Sequence, residues 1–124
     1  MSIRQAIIDK LKTGTIARVY NRSSEVLSPD TPYVVIWQEK PTVQNSIQQG
    51  LGNWRIACHY SVGEIEDLEK YIEIEVYELL HKKKLTNEPS GDVFDCYVTK
   101  EISPAVNNTD GSISKDILIQ VPAP

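Results

Sequence analysis

The segment from Ser61 to Lys84 constrains the fold more than any other part of the chain, because its pattern predicts one long amphipathic helix. Its apolar residues recur with the 3.6-residue period of an α-helix and fall on one side, the stripe with which a helix covers a sheet. These residues are Ile65, Leu68, Ile72, Val76, Leu79 and Leu80. A chain that contains this helix therefore needs a sheet to pack against it.

Local signals predict both ends of the helix. Ser61 and Glu64 match a capping box, in which each side chain bonds a backbone N–H group of the first turn. Acidic residues follow in the first turns, and His81 with Lys82–Lys84 closes the last turn, as the helix dipole favours. The basic run therefore predicts a solvated helix end rather than a ligand-binding patch.

The opposite side of the helix carries a second apolar strip. Ile74 lies opposite the sheet-facing stripe, and Tyr71 and Tyr77 flank it at three-residue spacing. An apolar strip on a face that water should cover predicts contact with another surface, either of the same chain or of a neighbouring subunit. Because aromatic side chains bury a large area with little loss of rotamer entropy, Tyr71, Ile74 and Tyr77 are candidate subunit-interface residues.

Composition limits the classes of protein to which the chain can belong. Its 124 residues, 40% hydrophobic and 24% charged, have the size and mix of one domain spanning residues 1–124. The net charge of −4 disfavours a sequence-independent grip on nucleic acid. The apolar run Tyr33–Trp37 is too short for a membrane span, and no secretion signal is visible, so we expect a cytoplasmic start and no membrane partner.

Strand and turn signals complete the predicted fold. A first helix is expected from Ser2 to about Gly14, and Asn87–Gly91 and residues 107–111 are expected to be turns. The strand Tyr33–Gln38 is expected to be buried on both faces because it is dense in β-branched and aromatic residues. The predicted strands are Thr15–Tyr20, Tyr33–Gln38, Asn53–Val62, Val93–Ile102 and Ser112–Val121. The sequence therefore predicts an α+β fold: a single mixed, mostly antiparallel sheet of about five strands, with the short N-terminal helix and the long helix packed on it.

One group of residues approaches a catalytic motif. Asp30, Glu39 and Lys40 are ordered as in metal-dependent nucleases of the PD-(D/E)xK type, whose acids hold a divalent cation that polarises water. Gln38 stands where that motif requires an acid, and a neutral amide adds no charge to a hard cation. A nuclease is therefore the least favoured of the functions considered.

The cysteines and histidines do not form a recognisable site. Cys58 and Cys96 lack CxxC spacing and lie in strand-like segments, which predicts buried, reduced thiols. A metal site that joined them to His59 and His81 would require four separate elements to converge. We therefore predict no catalytic, cofactor-binding or metal-ligating residues, and no cofactor.

Three features occur together along nearly the whole chain: a short N-terminal helix followed by Ala17–Tyr20, the proline-preceded strand Pro32–Ile36, and the passage from Trp54–Ile56 into the helix Ser61–Lys84, before two closing strands. In this order the chain resembles the tail terminator proteins of long-tailed bacteriophages, also called tail completion or tail-to-head joining proteins. The resemblance implies a non-enzymatic structural protein of the virion tail and neck, present in the host cytoplasm before assembly.

The resemblance also implies a set of partners. The chain would assemble with itself into a ring, usually a hexamer, on the tail tube protein, stop growth of the tube and offer a surface to a neck or head completion protein. DNA would pass through the ring without specific binding, which the acidic balance of the chain suits. Another head–tail connector, such as a head completion or stopper protein, is the alternative.

A ring built head to tail needs two different patches on each chain. The first helix is one candidate for the second patch. The other is Gln44–Asn53, within the polar stretch Glu39–Asn53 that is expected to form an extended arm. Within that arm the residues predicted to face a partner or the lumen are Gln44, Asn45, Gln48 and Gln49.

Overall fold

The computed structural model describes residues 3–21, 30–39, 52–87, 91–109 and 111–122. These residues form two helical segments and seven strands, and a π-helical turn, Tyr71–Glu75, lies within the second helical segment. In chain order they are α1 (Ile3–Leu11), β1 (Val19–Asn21), β2 (Tyr33–Gln38), β3 (Gly52–Ser61), α2 (Ile65–Lys70), α3 (Val76–Leu80), β4 (Lys83–Asn87), β5 (Asp92–Ile102), β6 (Val106–Asn107) and β7 (Ser112–Val121).

The strands of the described residues form one mixed sheet in the order β1-β2-β3-β7-β5-β4, and β6 also pairs with β7. Only β1 and β2 are parallel, while every other pair is antiparallel. β3 and β7 pair over their whole length, from Gly52 opposite Val121 to Ser61 opposite Ser112, and form the centre of the sheet. The predicted α+β class with a mixed, mostly antiparallel sheet is confirmed, but the predicted number of strands is too low.

β4 and β6 are the strands that the sequence did not predict. β4 begins at Lys83, within the basic run assigned to the long helix, and only its Leu85 is among the buried core residues. Lysines on an edge strand are typical, since they discourage pairing with another chain. β6 has two exposed residues and pairs with the first half of β7, so it carries too little pattern to be predicted.

Both helical segments pack on one face of the sheet. The apolar stripe of the long helix is confirmed, with Leu68, Ile72, Val76 and Leu80 fully buried, and Trp54, Ile56 and Cys58 on one face of β3 are buried as well. α1 buries Ile3, Ile7, Ile8 and Leu11, as its periodicity predicts. Each fully buried aliphatic side chain stabilises the fold by about 1.5–3 kcal/mol, so these stripes fix the helices on the sheet.

The prediction that β2 is buried on both faces is wrong. Val34 and Ile36 are fully buried, whereas Val35 and Trp37, on the other face, are only half-buried. β2 lies next to the edge strand β1, and the described helices cover only the face that Val34 and Ile36 share with the core.

The predicted ends of the long helix are also wrong. Helical residues begin at Ile65, Glu64 is the N-cap, and no side chain caps the first turn. Ser61 is instead the last residue of β3, and its hydroxyl lies 2.8 Å from that of Thr31, so the capping box does not form. At the other end the helix stops at Leu80, and Lys83 and Lys84 belong to β4 rather than to the last helical turn.

The π-helical turn interrupts the helix at its centre. Val76 donates its backbone N–H to the carbonyl of Tyr71, five residues back. A π turn contains more residues than an α turn, so side-chain directions predicted with a constant period do not continue across it.

Candidate subunit interface

The second apolar strip consists of two residues in the structure. Ile74 and Tyr77 are 50% and 48% exposed, whereas Tyr71 is 2% exposed and belongs to the core. The placement of Tyr71 on the solvent-facing strip is therefore wrong: Tyr71 follows Leu68 by three residues and is buried with Leu68 and Ile72 in the same core. We call Ile74 and Tyr77, with the exposed charged residues of the same helix, the helix face.

Contacts within the chain orient Tyr77. Its ring stacks on His81 with centroids 4.2 Å apart, and His81 in turn meets the edge of Tyr97. The Nδ1 atom of His81 accepts the backbone N–H of Val98 at 3.1 Å, which fixes the imidazole at the end of the helix. Tyr77 is thus held in one orientation before any partner arrives, which lowers the entropy lost when a partner covers it.

The helix face is acidic around its apolar pair. The exposed charged residues of the helix are Glu66, Asp67, Lys70, Glu73 and Glu78, four acids and one base. A partner surface that fits the helix face therefore needs an apolar centre and a basic border.

A groove on the same chain has these properties. It lies between α1 and β4 and has a volume of 350 Å³. It is lined by Ala6, Asp9, Lys10, Thr13, Lys84, Leu85 and Thr86. Lys12 follows α1, Lys82 precedes β4 and Lys83 is its first residue, and all three are exposed. Lys84 bonds Asp95 across the strands. We call these residues the basic groove; the sequence did not reveal it because β4 was not predicted.

The arm residues Gln44, Asn45, Gln48 and Gln49 lie outside the described residues, as does Lys40 of the nuclease-like group. Asp30 is exposed. Glu39 lies at the end of β2, where its Oε1 accepts a hydrogen bond from Nε of Arg55 at 2.6 Å. A carboxylate held in this way is occupied by a guanidinium rather than directed at a cation site.

Arg55 joins three carboxylates on the side of the sheet opposite the core. Besides Glu39, it contacts Asp116 at 3.1 Å and Glu101 at 3.3 Å. The hydrogen bond to Glu39 is the main reason that the pKa of Arg55 is raised, and the negative charges of all three acids add to it. The sequence did not reveal these partners, which lie up to 61 residues away.

The cysteines and histidines serve the packing of the chain. Cys58 and Cys96 are buried free thiols, as predicted. Burial raises the pKa of Cys96 to about 12 and that of Cys58 further, so both thiols are protonated at neutral pH. His59 stacks on Tyr33 with centroids 4.4 Å apart. Among the described residues, no three His, Cys, Asp or Glu side chains are grouped to hold a metal ion.

Comparisons with models of protein families, with curated proteins and with solved structures find no match. Across the part of the chain that the structure describes, no helix is long and apolar enough to cross a membrane.

Proposed function

We propose that the chain is a ring-forming structural subunit of the tail terminator kind, which closes the end of a phage tail tube. The observation that carries the proposal is the helix face: Ile74 and Tyr77 lie half exposed together on an acidic helix, with Tyr77 already oriented by His81. The α+β architecture, with one sheet under two helical segments, is compatible with the order of elements on which the resemblance rests.

The basic groove supports a head-to-tail contact. In a ring of identical chains, the patch of one subunit meets a different patch of the next. The helix face carries four acids and one base. The basic groove lies among five lysines, Lys10, Lys12 and Lys82–Lys84, with Asp9 as the acid in its lining. Charge complementarity of this kind speeds association and fixes the register of the contact.

The remaining partners follow from the place of such a ring in a virion. One side of the ring would bind the tail tube protein and the other a neck or head completion protein. DNA would cross the central hole, and a chain with a net charge of −4 offers little non-specific attraction to its phosphates. The protein would thus end in the virion tail and neck after assembly in the host cytoplasm.

A substitution at the helix face tests self-association. We expect Ile74→Asp to leave the fold intact and to weaken association at least about tenfold, because the new carboxylate would be buried without a partner and beside acidic neighbours. The measurement is molar mass by light scattering over a concentration series, with circular dichroism to confirm folding.

Val106→Asp is the matched control, since Val106 is 52% exposed on β6 rather than on the helix. It should associate like the wild type. A wild-type chain that is monomeric at every concentration, or equal effects of the two substitutions, would count against the proposed contact.

Another connector of the same junction, a head completion or stopper protein, is the alternative within this class. Capture of isolated tail tubes by the purified chain favours the tail terminator, whereas capture of filled heads alone favours the alternative. Magnesium-dependent cleavage of DNA that is lost in Asp30→Ala would contradict both connector functions and support the nuclease hypothesis.

A further inference from the structure

The end of the long helix and the sheet meet at His81. β4 pairs with β5 from Lys83 opposite Cys96, and the same register continued back by two residues would place His81 opposite Val98. The backbone leaves the sheet at this point, because the N–H of His81 bonds to the carbonyl of Tyr77 within the helix. The imidazole takes the vacated position, where its Nδ1 accepts the backbone N–H of Val98 at 3.1 Å. A titratable side chain thus replaces a strand carbonyl beside β5.

This hydrogen bond defines the protonation state of His81. A ring nitrogen accepts a hydrogen bond only when it carries no proton, so the form that bonds Val98 is the neutral imidazole with its proton on Nε2. An imidazolium carries a proton on each ring nitrogen and has no acceptor, whichever way the ring is turned. Protonation therefore breaks the bond, and histidine is the side chain whose charge ordinarily changes between about pH 5 and 8.

The groups around the ring do not replace the lost bond. The titratable or charged groups beside it in space or along the chain are Tyr77 and Glu78 on the helix, Lys82 and Lys83 in the passage into β4, and Tyr97 on β5. An imidazolium keeps its attraction to the face of the Tyr77 ring. Among the described residues, however, no carboxylate forms an ion pair with His81, so the charged ring gains no acceptor in exchange for the contact with Val98.

His81 also borders the proposed subunit contact. Its ring stacks on Tyr77 with centroids 4.2 Å apart, and Tyr77 is one of the two apolar residues of the helix face. The partner surface proposed for that face is the basic groove, whose lysines are attracted by acids. A positive charge on His81 would lie beside the apolar centre of the contact and repel those lysines.

We infer that protonation of His81 is a pH switch, which releases the N–H of Val98 and weakens the contact between the helix face and the basic groove. This rests on the proposed function, because Tyr77 belongs to the helix face. The sign follows from the acceptor role of Nδ1: association is strongest where His81 is neutral and weakens as the pH falls through the titration of its ring. The chain therefore assembles at neutral pH and loosens in mild acid.

Nuclear magnetic resonance of the dilute, ¹⁵N-labelled full chain tests the first step. At pH 8 the long-range ¹H–¹⁵N spectrum of the imidazole should show the proton of His81 on Nε2. On acidification, the amide signal of Val98 should shift with the same midpoint as the ring signals of His81, and its exchange with solvent should become faster. An Nδ1–H tautomer at pH 8, or a Val98 amide that does not follow the ring, would overturn the inference.

The pH dependence of self-association tests the second step. Light scattering over a concentration series should give an affinity at least about threefold weaker at pH 6 than at pH 8, because the apparent affinity falls with the fraction of chains that are competent to bind. Carboxylates ordinarily titrate below about pH 5, so the acids of the helix face keep their charge over this range. Equal ionic strength in all samples keeps screening constant.

His81→Asn is the matched variant. Its Oδ1 occupies the place of Nδ1, so it retains an acceptor for Val98 but takes up no proton in this pH range. Whatever its affinity at pH 8, that affinity should be nearly the same at pH 6. His59→Phe removes the other histidine and keeps a ring beside Tyr33, and it should respond to pH like the wild type.

Two outcomes separate this switch from the proposed function. Association of the wild type that is equally strong at both pH values, or that weakens equally in His81→Asn, would overturn the switch and leave the subunit contact standing. A chain that is monomeric at both pH values would overturn the subunit contact and, with it, the effect of His81 on association.

Discussion

Arg55 forms ion pairs with three carboxylates of the sheet and its edges. Its guanidinium links Glu39 at the end of β2, Asp116 on β7 and Glu101 on β5, so one residue of β3 ties three other strands together. The side chain of Arg55 is 17% exposed. Glu101 reaches it because residues 99–101 of β5 form an irregularity opposite Leu118, closed by the hydroxyl of Thr99, which donates to the carbonyl of Leu118 at 2.7 Å.

Removal of this guanidinium should destabilise the fold. Arg55→Met keeps most of the side-chain volume but leaves three carboxylates near one another, and we expect a loss of about 1–2 kcal/mol in the free energy of unfolding. The value lies below that of a fully buried ion pair, because Glu101 is 63% exposed and water screens it. Urea unfolding monitored by tryptophan fluorescence measures the change.

Lys84→Met provides the contrast within the same sheet. Lys84 also bonds a carboxylate, Asp95, but its side chain is 69% exposed. Exposed pairs of this kind contribute little, so this variant should unfold at nearly the wild-type urea concentration. Equal losses in the two variants would show that burial of the Arg55 network does not matter.

At the scale of elements, the sequence predicted the features that have a repeating pattern of apolar residues. It missed the features that depend on pairing between residues far apart in the chain. The strands β2 and β7 begin and end as predicted, and the apolar stripes of both helices are correct, because periodicity over several turns or residues averages out local exceptions. Serine often caps helices, but the backbone of Ser61 pairs with Ser112, fifty-one residues later, and so remains in a strand.

The candidate sites likewise contain some residues that spacing predicted and others that it did not. Ile74 and Tyr77 were predicted from spacing and are exposed, whereas Tyr71 was misplaced, since it lies in the core beside Leu68 and Ile72. The hydrogen bond between Thr15 and Glu75 joins residues sixty positions apart and could not be predicted from spacing. The basic groove required β4, whose lysines were assigned to a helix end.

A substitution at Lys82 tests whether the long helix stops before this residue. Lys82 has φ of 59°, a left-handed conformation that costs a residue with a Cβ atom about 1 kcal/mol and costs glycine nothing. Lys82→Gly should therefore be neutral or stabilise the protein by up to about 1 kcal/mol in thermal unfolding. Were Lys82 inside a helix, the same substitution would destabilise by about that amount.

Lys83→Gly serves as the neighbouring control, since Lys83 lies in β4 and pairs with Cys96. Glycine weakens a strand, so we expect a loss of about 0.5–1 kcal/mol there. Destabilisation of both variants to the same extent would contradict the turn at Lys82.

At the scale of the whole molecule, charge is distributed unevenly between two surfaces. The long helix presents acids around Ile74 and Tyr77, while α1 and the segment Lys82–Lys84 present lysines around a groove with Ala6 and Leu85 in its wall. A two-fold contact would place the acidic helix face against itself, which repulsion disfavours. The proposed ring avoids this by pairing unlike surfaces.

Pairing of unlike surfaces predicts complementation between two defective chains. Ile74→Asp blocks the helix face and leaves the basic groove, whereas the double substitution Lys12→Glu/Lys83→Glu reverses charge at the groove and leaves the helix face. Each variant alone should be monomeric, because a head-to-tail contact needs both surfaces in one preparation. Their mixture should contain a one-to-one dimer and nothing larger, since each dimer has only blocked surfaces left. Native mass spectrometry distinguishes these species by mass.

Arg18→Glu/Lys100→Glu, which changes the net charge equally at two exposed positions elsewhere, should assemble like the wild type. A mixture that stays monomeric while the wild-type chain assembles would mean that subunits meet through other surfaces.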